Sequence, residues 1–279
     1  MPFENKLSLV TRVADLDTQR HTTSRTYESF CLEGRHALLK DKGFSIRELV
    51  DQRIVLFPTH QYVKFMYQQE AGARLNVETR AYPGEDGFIL WDQRVKQEDG
   101  KDVCHIQTRT GTQGHQNLLG SAKEDHDIEI YFNDLQAFSG ACKVVKSDYT
   151  TLFCERDIFG AYSPAQMWKV FEEGRWLFCA RVGLTLERFV EMDTTSFYMG
   201  GVFNFHRPLP AGKKLKIKTW IERLEKIRYY FRQDVIDEHG VLMSLRDEQL
   251  IVSVSGARPR KPPPEFAKLI RPYLEVKGE

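Results

Sequence analysis

The sequence predicts an α+β protein built twice over, each copy an antiparallel sheet wrapped around one long helix. Three observations predict it. One register of identity recurs along the chain, each half holds an amphipathic helix with the same apolar spacing, and most of the chain after each helix alternates with a period of two.

The register is an offset of 140 residues. It carries "LEGR" at 32–35 onto "EEGR" at 172–175, Asp17 onto Asp157, Gly43 onto Gly183, Val50 onto Val190 and Phe65 onto Phe205. Further on it carries Leu75 onto Leu215, Thr79 onto Thr219, Gln93 onto Gln233, Val95 onto Val235 and Gly100 onto Gly240. Chance identities do not hold one ungapped offset over so many separated positions. The repeated bodies run over 8–112 and 148–255, so the chain divides into an N-terminal unit at 1–112, a connector at 113–146 and a C-terminal unit at 147–279 with a tail helix. A repeat as long as a domain points to an intramolecular pseudo-dimer rather than a solenoid.

Each unit opens on a short alternating strand, "LSLVTRV" or "YTTLFCE", then a polar loop, then the helix. Ser163 is the expected N-cap of the second helix, with Pro164 at the first helical position and Gln166 completing an S-x-x-Q capping box; Thr23 is the matching cap in the first. The apolar stripes are Tyr27, Phe30, Cys31, Gly34 and Leu38, and Met167, Val170, Phe171, Gly174 and Phe178, both at i, i+3, i+4, i+7 and i+11. A mid-helix glycine costs about 1 kcal/mol against alanine, so Gly34 and Gly174 predict close approach to a sheet.

The rest of each unit reads as strand. "KLKIKTWIE" sets Leu215, Ile217, Thr219 and Ile221 on one face and Lys214, Lys216 and Lys218 on the other, and "RLNVETRA" repeats the period. Two hairpins come next, turning at Asp99-Gly100 and His239-Gly240. The connector offers one candidate strand, "IEIYF"; the tail "ARPRKPPPEFAKLIRPYL" is a proline-stiffened run into a short helix.

Composition narrows the function classes. The 279 residues carry 40 basic and 39 acidic side chains, a formal charge of +1, which argues against a nucleic-acid or anionic-membrane protein. Charge is divided unevenly: 17 basic against 21 acidic residues up to 140, and 23 against 18 after it, giving halves of −4 and +5. The five cysteines lack any CxxC spacing, the remaining histidines show no metal-ligand spacing, and no apolar run approaches the ~18 residues of a membrane span. A reducing, cytoplasmic setting is expected, with no metal or redox cofactor.

Strand, acidic loop, buried helix ending in Glu-x-Arg and then a sheet entered through "RPLPAGKKLKIKT" resembles the hot-dog thioesterase fold, here as two tandem hot-dog units. The second copy, "CERDIFGAYSPAQMWKVFEEGR", resembles the 4-hydroxybenzoyl-CoA thioesterase group, whose Asp-x-x-Gly loop precedes the helix; Asp157 and Gly160 match it. The first copy, "DLDTQRHTTSRTYESFCLE", is similar to acyl-ACP thioesterases, themselves tandem hot-dogs. Their motif runs Asp-Leu-Asp, a His four residues after the second Asp and a Glu twelve after that His, which Asp17, His21 and Glu33 match. The resemblance implies a thioesterase acting on acyl-CoA or on acyl carrier protein, with pairing of pseudo-dimers into a homo-oligomer as a further expectation.

The chemistry fits such a loop. A thiol with a pKa near ~8.5 leaves readily, so one carboxylate suffices. Asp17 activates water or attacks the carbonyl itself, roles that spacing does not separate. Backbone N–H groups around Thr23 and Ser24 would hold the oxyanion, His21 would orient Asp17 or water, and Glu33 would fix His21 or a second water. Asp157 with the amides near Ser163 is the corresponding set. A structural reading stands beside this, since an Asp before a helix also serves as a cap, His21 as a satisfied histidine and Glu33 as a solvated charge. The competing functions are a non-catalytic acyl-binding protein and a hot-dog hydratase or dehydratase.

Overall fold

The computed structural model describes residues 2–17, 20–84, 87–114, 118–120 and 128–275. It forms two compact units, Met1–Asn133 with Glu155–Met167, and Asp134–Cys154 with Trp168–Glu279.

In the first unit five antiparallel strands run in the order β1-β3-β4-β5-β2. They are β1 (Phe3–Val10), β2 (Val55–Phe65), β3 (Arg74–Pro83), β4 (Phe88–Gln97) and β5 (Asp102–Gln113). The helix α1 (Ser24–Asp41) lies against this sheet, followed by the short α2 (Ile46–Asp51), which Ser45 and Glu48 close with a capping box. The second unit repeats the order as β6-β8-β9-β10-β7, from β6 (Val145–Thr150), β7 (Thr195–Phe205), β8 (Lys214–Leu224), β9 (Arg228–Asp237) and β10 (Gly240–Val252). Its helices are α3 (Pro164–Val182) and α4 (Leu186–Glu191), and α5 (Pro264–Ile270) ends the tail.

All ten residues of the two predicted apolar stripes are buried. The glycines behave as their position requires. A Cβ on Gly34 would stand 2.5 Å from Thr79 Oγ1, and one on Gly174 would stand 2.8 Å from Ile217 Cγ2 and overlap Gln233. Each helix therefore rides on a buried Thr–Gln pair, in which Gln93 Nε2 donates to Thr79 Oγ1 at 2.9 Å and to the Cys31 carbonyl at 2.7 Å. Gln233 Nε2 likewise donates to Thr219 Oγ1 at 3.3 Å.

Three details differ from the expectations. The opening strands begin earlier, at Phe3 and Val145, and end before Val13 and Phe153, which lie in single 3-10 turns. The offset of 140 slips to 139 in the last hairpin, because Gln97 pairs with Lys101 across a three-residue turn while Asp237 faces Gly240 across two residues. Thr108 thus corresponds to Asp247.

The candidate strand "IEIYF" is not a strand. It is an extended strap that borrows side-chain amides for its backbone: Gln107 donates to the Glu129 carbonyl at 2.9 Å and accepts from the Tyr131 N–H at 3.1 Å. In the second unit Asn204 accepts from the Leu135 N–H at 2.7 Å and Arg232 donates to the Gln136 carbonyl at 2.6 Å. The tail folds back on the same unit, burying Phe266 and Ile270 among Phe178, Tyr229 and Phe231.

Of the aromatic residues following α4, Phe203, Phe205, Trp220, Tyr229 and Phe231 are core, with Phe203 stacked on Trp168 at 4.9 Å. Among the described residues no helix is long and apolar enough to cross a membrane.

Candidate active site

The loop entering α1 is folded around Asp17. The Asp17 N–H donates to the His21 carbonyl at 2.8 Å, the Arg20 N–H donates to the Asp17 carbonyl at 3.0 Å, and the His21 N–H donates to Asp17 Oδ1 at 3.1 Å. Arg20 takes the left-handed conformation this turn needs, with φ of 68°. The carboxylate sits in an exposed position, and His21 is half-buried with its Nδ1 shielded and without a partner among the described residues.

The loop entering α3 is the same object 140 residues on. The Asp157 N–H donates to the Ala161 carbonyl at 2.8 Å, and the N–H groups of Phe159 and Ala161 donate to Asp157 Oδ1 at 2.9 and 3.1 Å. Gly160, with φ of 75°, stands where Arg20 stands. The Asp-x-x-Gly spacing is explained by that backbone requirement, since glycine adopts positive φ without strain. This loop belongs to the first compact unit, where Phe159 stacks on His36 of α1 at 6.2 Å. Burial holds His36 neutral, its pKa lowered to about 4, with Arg35 acting in the same direction.

The two helix starts differ in what they offer. Thr23 is the N-cap of α1, but its hydroxyl bonds Thr26 Oγ1 at 3.0 Å, and its N–H donates to the Asp15 carbonyl at 2.9 Å. Its amide is therefore committed. The Ser24 N–H has no acceptor among the described residues and is the donor this turn leaves open. In α3, Ser163 caps through Oγ, accepting the Gln166 N–H at 3.4 Å, and Pro164 supplies no N–H at all. There the Ala165 N–H has no acceptor among the described residues.

Glu33 is not brought to Asp17 and His21. It is exposed, ten residues past the N-cap, roughly 15 Å along the helix axis at 1.5 Å per residue.

Residues that no spacing pointed to hold the loop in place. Thr22 donates to the Gln69 carbonyl through its N–H at 2.8 Å and its hydroxyl at 3.0 Å, and Arg12 clasps Asp15 through its N–H and guanidinium. Those bonds from Arg12 lower the Asp15 pKa against the opposing effect of burial. Deeper in α1 a wholly buried Glu28 pairs with Arg35 and accepts from Gln61 Nε2 at 2.7 Å, and burial raises its pKa. In the second unit the equivalent arginine, Arg175, is half-buried and pairs with the wholly buried Asp247 of β10 at 2.9 Å.

Solved structures share this architecture. The structure superposes on the 12:0-ACP thioesterase of Umbellularia californica with a TM-score of 0.66, at 12% identity, over 92% of this chain and 95% of that one. An acyl-ACP thioesterase of Bacteroides thetaiotaomicron gives 0.64 at 12% identity over 88% and 97%. The fold is a tandem hot-dog. A protein assigned as an oleoyl thioesterase in Lactobacillus plantarum shares the tandem hot-dog over 88% of this chain and 96% of its own, with a TM-score of 0.70 at 8% identity. Residues 153–270, within the second hot-dog copy, match the model of the Thioesterase-like superfamily. No curated protein matches the chain in sequence.

Proposed function

We propose that this tandem hot-dog protein hydrolyses acyl thioesters of coenzyme A or acyl carrier protein, with Asp17 as the catalytic carboxylate. The observation that carries the reading is the loop itself: an exposed carboxylate, oriented by the His21 N–H, at the mouth of a buried helix whose Ser24 amide is open. The match of residues 153–270 to the Thioesterase-like superfamily supports the reaction class.

Asp17 takes a proton as water adds to the thioester carbonyl. The Ser24 N–H stabilises the resulting oxyanion, a donor of the kind worth roughly 3 kcal/mol. Collapse breaks the C–S bond, and the proton held by Asp17 passes to the departing thiolate, leaving a carboxylic acid and a thiol. Direct attack by Asp17 would give a mixed anhydride that water then opens, with the same products. Asp157 stands in the same loop but lacks a histidine at position 161 and faces a proline at N1, so the first copy is the working one.

Thiol release from a panel of acyl-CoAs and acyl carrier thioesters tests this. Asp17→Asn is expected to abolish turnover and Asp157→Asn to retain it; loss with Asp157→Asn alone moves the site to the second copy. In both loops the carboxylate also caps its own turn, which favours a binding protein as the second reading; silence on every thioester with folded protein would favour that one.

A further inference from the structure

One face of the second unit carries four lysines and fewer carboxylates: Asp148 stands opposite Lys216, and Asp234 of β9 stands opposite Lys218 and accepts from Ser244 Oγ at 2.7 Å. On β8, Lys214, Lys216 and Lys218 point away from the core, and β6 sets Lys146 directly opposite Lys218. Like charges facing each other across a ladder repel. Lys216 is paired with Asp148, whereas Lys146, Lys214 and Lys218 form no ion pair among the described residues.

The first unit is an internal control. Its corresponding strands place Glu4 opposite Arg80 and Lys6 opposite Glu78. Arg80 pairs with Glu4 at 3.0 Å, Lys96 with Glu78 at 2.6 Å and Arg74 with Glu98 at 3.7 Å. From one scaffold, one face pairs most of its charges, while the other leaves three lysines without an ion pair among the described residues, Asp234 being the one β9 carboxylate in register with them. That cationic face lies in the half whose formal charge is +5.

We propose that the lysine face of β6 and β8 docks the acidic surface of a carrier protein that delivers the acyl thioester. The proposal rests on the thioesterase reading above. Alternate residues on a strand are roughly 7 Å apart with side chains running parallel, so Lys214 to Lys218 spans about 13 Å. Parallel, outward-pointing ammonium groups suit a row of carboxylates on a protein; a nucleotide phosphate calls for donors that converge on one point.

The test compares one acyl group on acyl carrier protein and on pantetheine, which lacks the protein's carboxylates. K214E/K218E should raise KM for the carrier substrate on the order of tenfold at low salt, less at high salt, and leave kcat and all pantetheine kinetics unchanged. K146Q, which relieves the facing pair and keeps Lys218 opposite Asp234, should be at least as stable as wild type and raise the carrier KM in the same direction. K6E in the first unit should change neither. Equal effects on both substrates, or none on either, overturn the docking surface. If no thioester turns over, the activity falls and docking is read by titrating acyl-loaded carrier protein directly. Loss of binding in K214E/K218E then sustains the surface, and equal binding or no binding by wild type overturns it.

Discussion

Replacing Gly34 by alanine sets two effects of opposite sign against each other. Alanine should gain about 1 kcal/mol in a helix interior. The new Cβ, however, would lie 2.5 Å from Thr79 Oγ1, 3.1 Å from Val77 Cγ1 and 3.2 Å from Gln93 Nε2. Thr79 is 1% exposed and accepts a hydrogen bond from Gln93, which also holds the Cys31 carbonyl of the helix. Moving the hydroxyl aside forfeits a buried bond at about 1–3 kcal/mol, and overpacking adds a similar amount. The net expectation is a loss of about 3 kcal/mol, or roughly 9 °C in Tm for a unit of this size. Calorimetry and urea unfolding followed by circular dichroism would measure it. Adding Thr79→Ala should recover part of the loss, since the two sites touch. A single variant as stable as wild type would refute the claim that this glycine exists for close approach.

Two other predictions concern buried charge. Asp247→Asn leaves the half-buried Arg175 without its counter-charge and should cost about 3 kcal/mol, the low end for a buried pair because the guanidinium keeps some water, while Arg175→Met with Asp247→Leu should return stability close to wild type; urea midpoints that rank the double variant below the single would contradict this. His36, depressed to about 4, contributes stability that is present above its unfolded pKa of about 6.5 and lost as pH falls through the folded value. Urea midpoints should therefore decline from pH 6.5 toward 4, and His36→Gln should flatten that slope; an unchanged slope would place the titration elsewhere.

Much of the fold was legible because it rests on local periodicity. The stripe from Tyr27 to Leu38, the lysine alternation on β8 and the close-approach glycines follow from spacing alone, and the structure buries or exposes them accordingly. The recurrence of Asp17 as Asp157 was legible too, and extends to the hydrogen bonds of the loop. Other features depend on partners distant in sequence. Glu28 looks like a helix-surface acid, and only the proximity of Gln61 and Arg35 makes a place for it inside. The strap at 128–132 alternates like a strand, but its backbone bonds go to the Gln107 side chain rather than to a neighbouring strand. Glu33 fits a motif spacing, yet helical rise carries it away from the loop. The hydrogen bond from the Thr23 N–H to the Asp15 carbonyl depends on the 3-10 turn at Val13–Asp15, which no pattern announced.

The arginines Arg35 and Arg175 show how far the two copies have parted. Arg35 takes its carboxylate from its own helix, and Arg175 takes its carboxylate from the sheet, where Asp247 occupies the place of Thr108. The counterpart of Glu28 is Trp168, and that of Gln61 is Gly201, whose Cβ would strike the Arg246 carbonyl at 2.5 Å. A chimera carrying α1 on the second sheet would crowd Glu28 and Asp247 around one guanidinium. The reciprocal chimera would leave Arg175 facing Thr108 and Gln61 with no anion. Each half has thus become a lock cut for its own key, and the duplication that made them alike can no longer be reversed by exchanging parts.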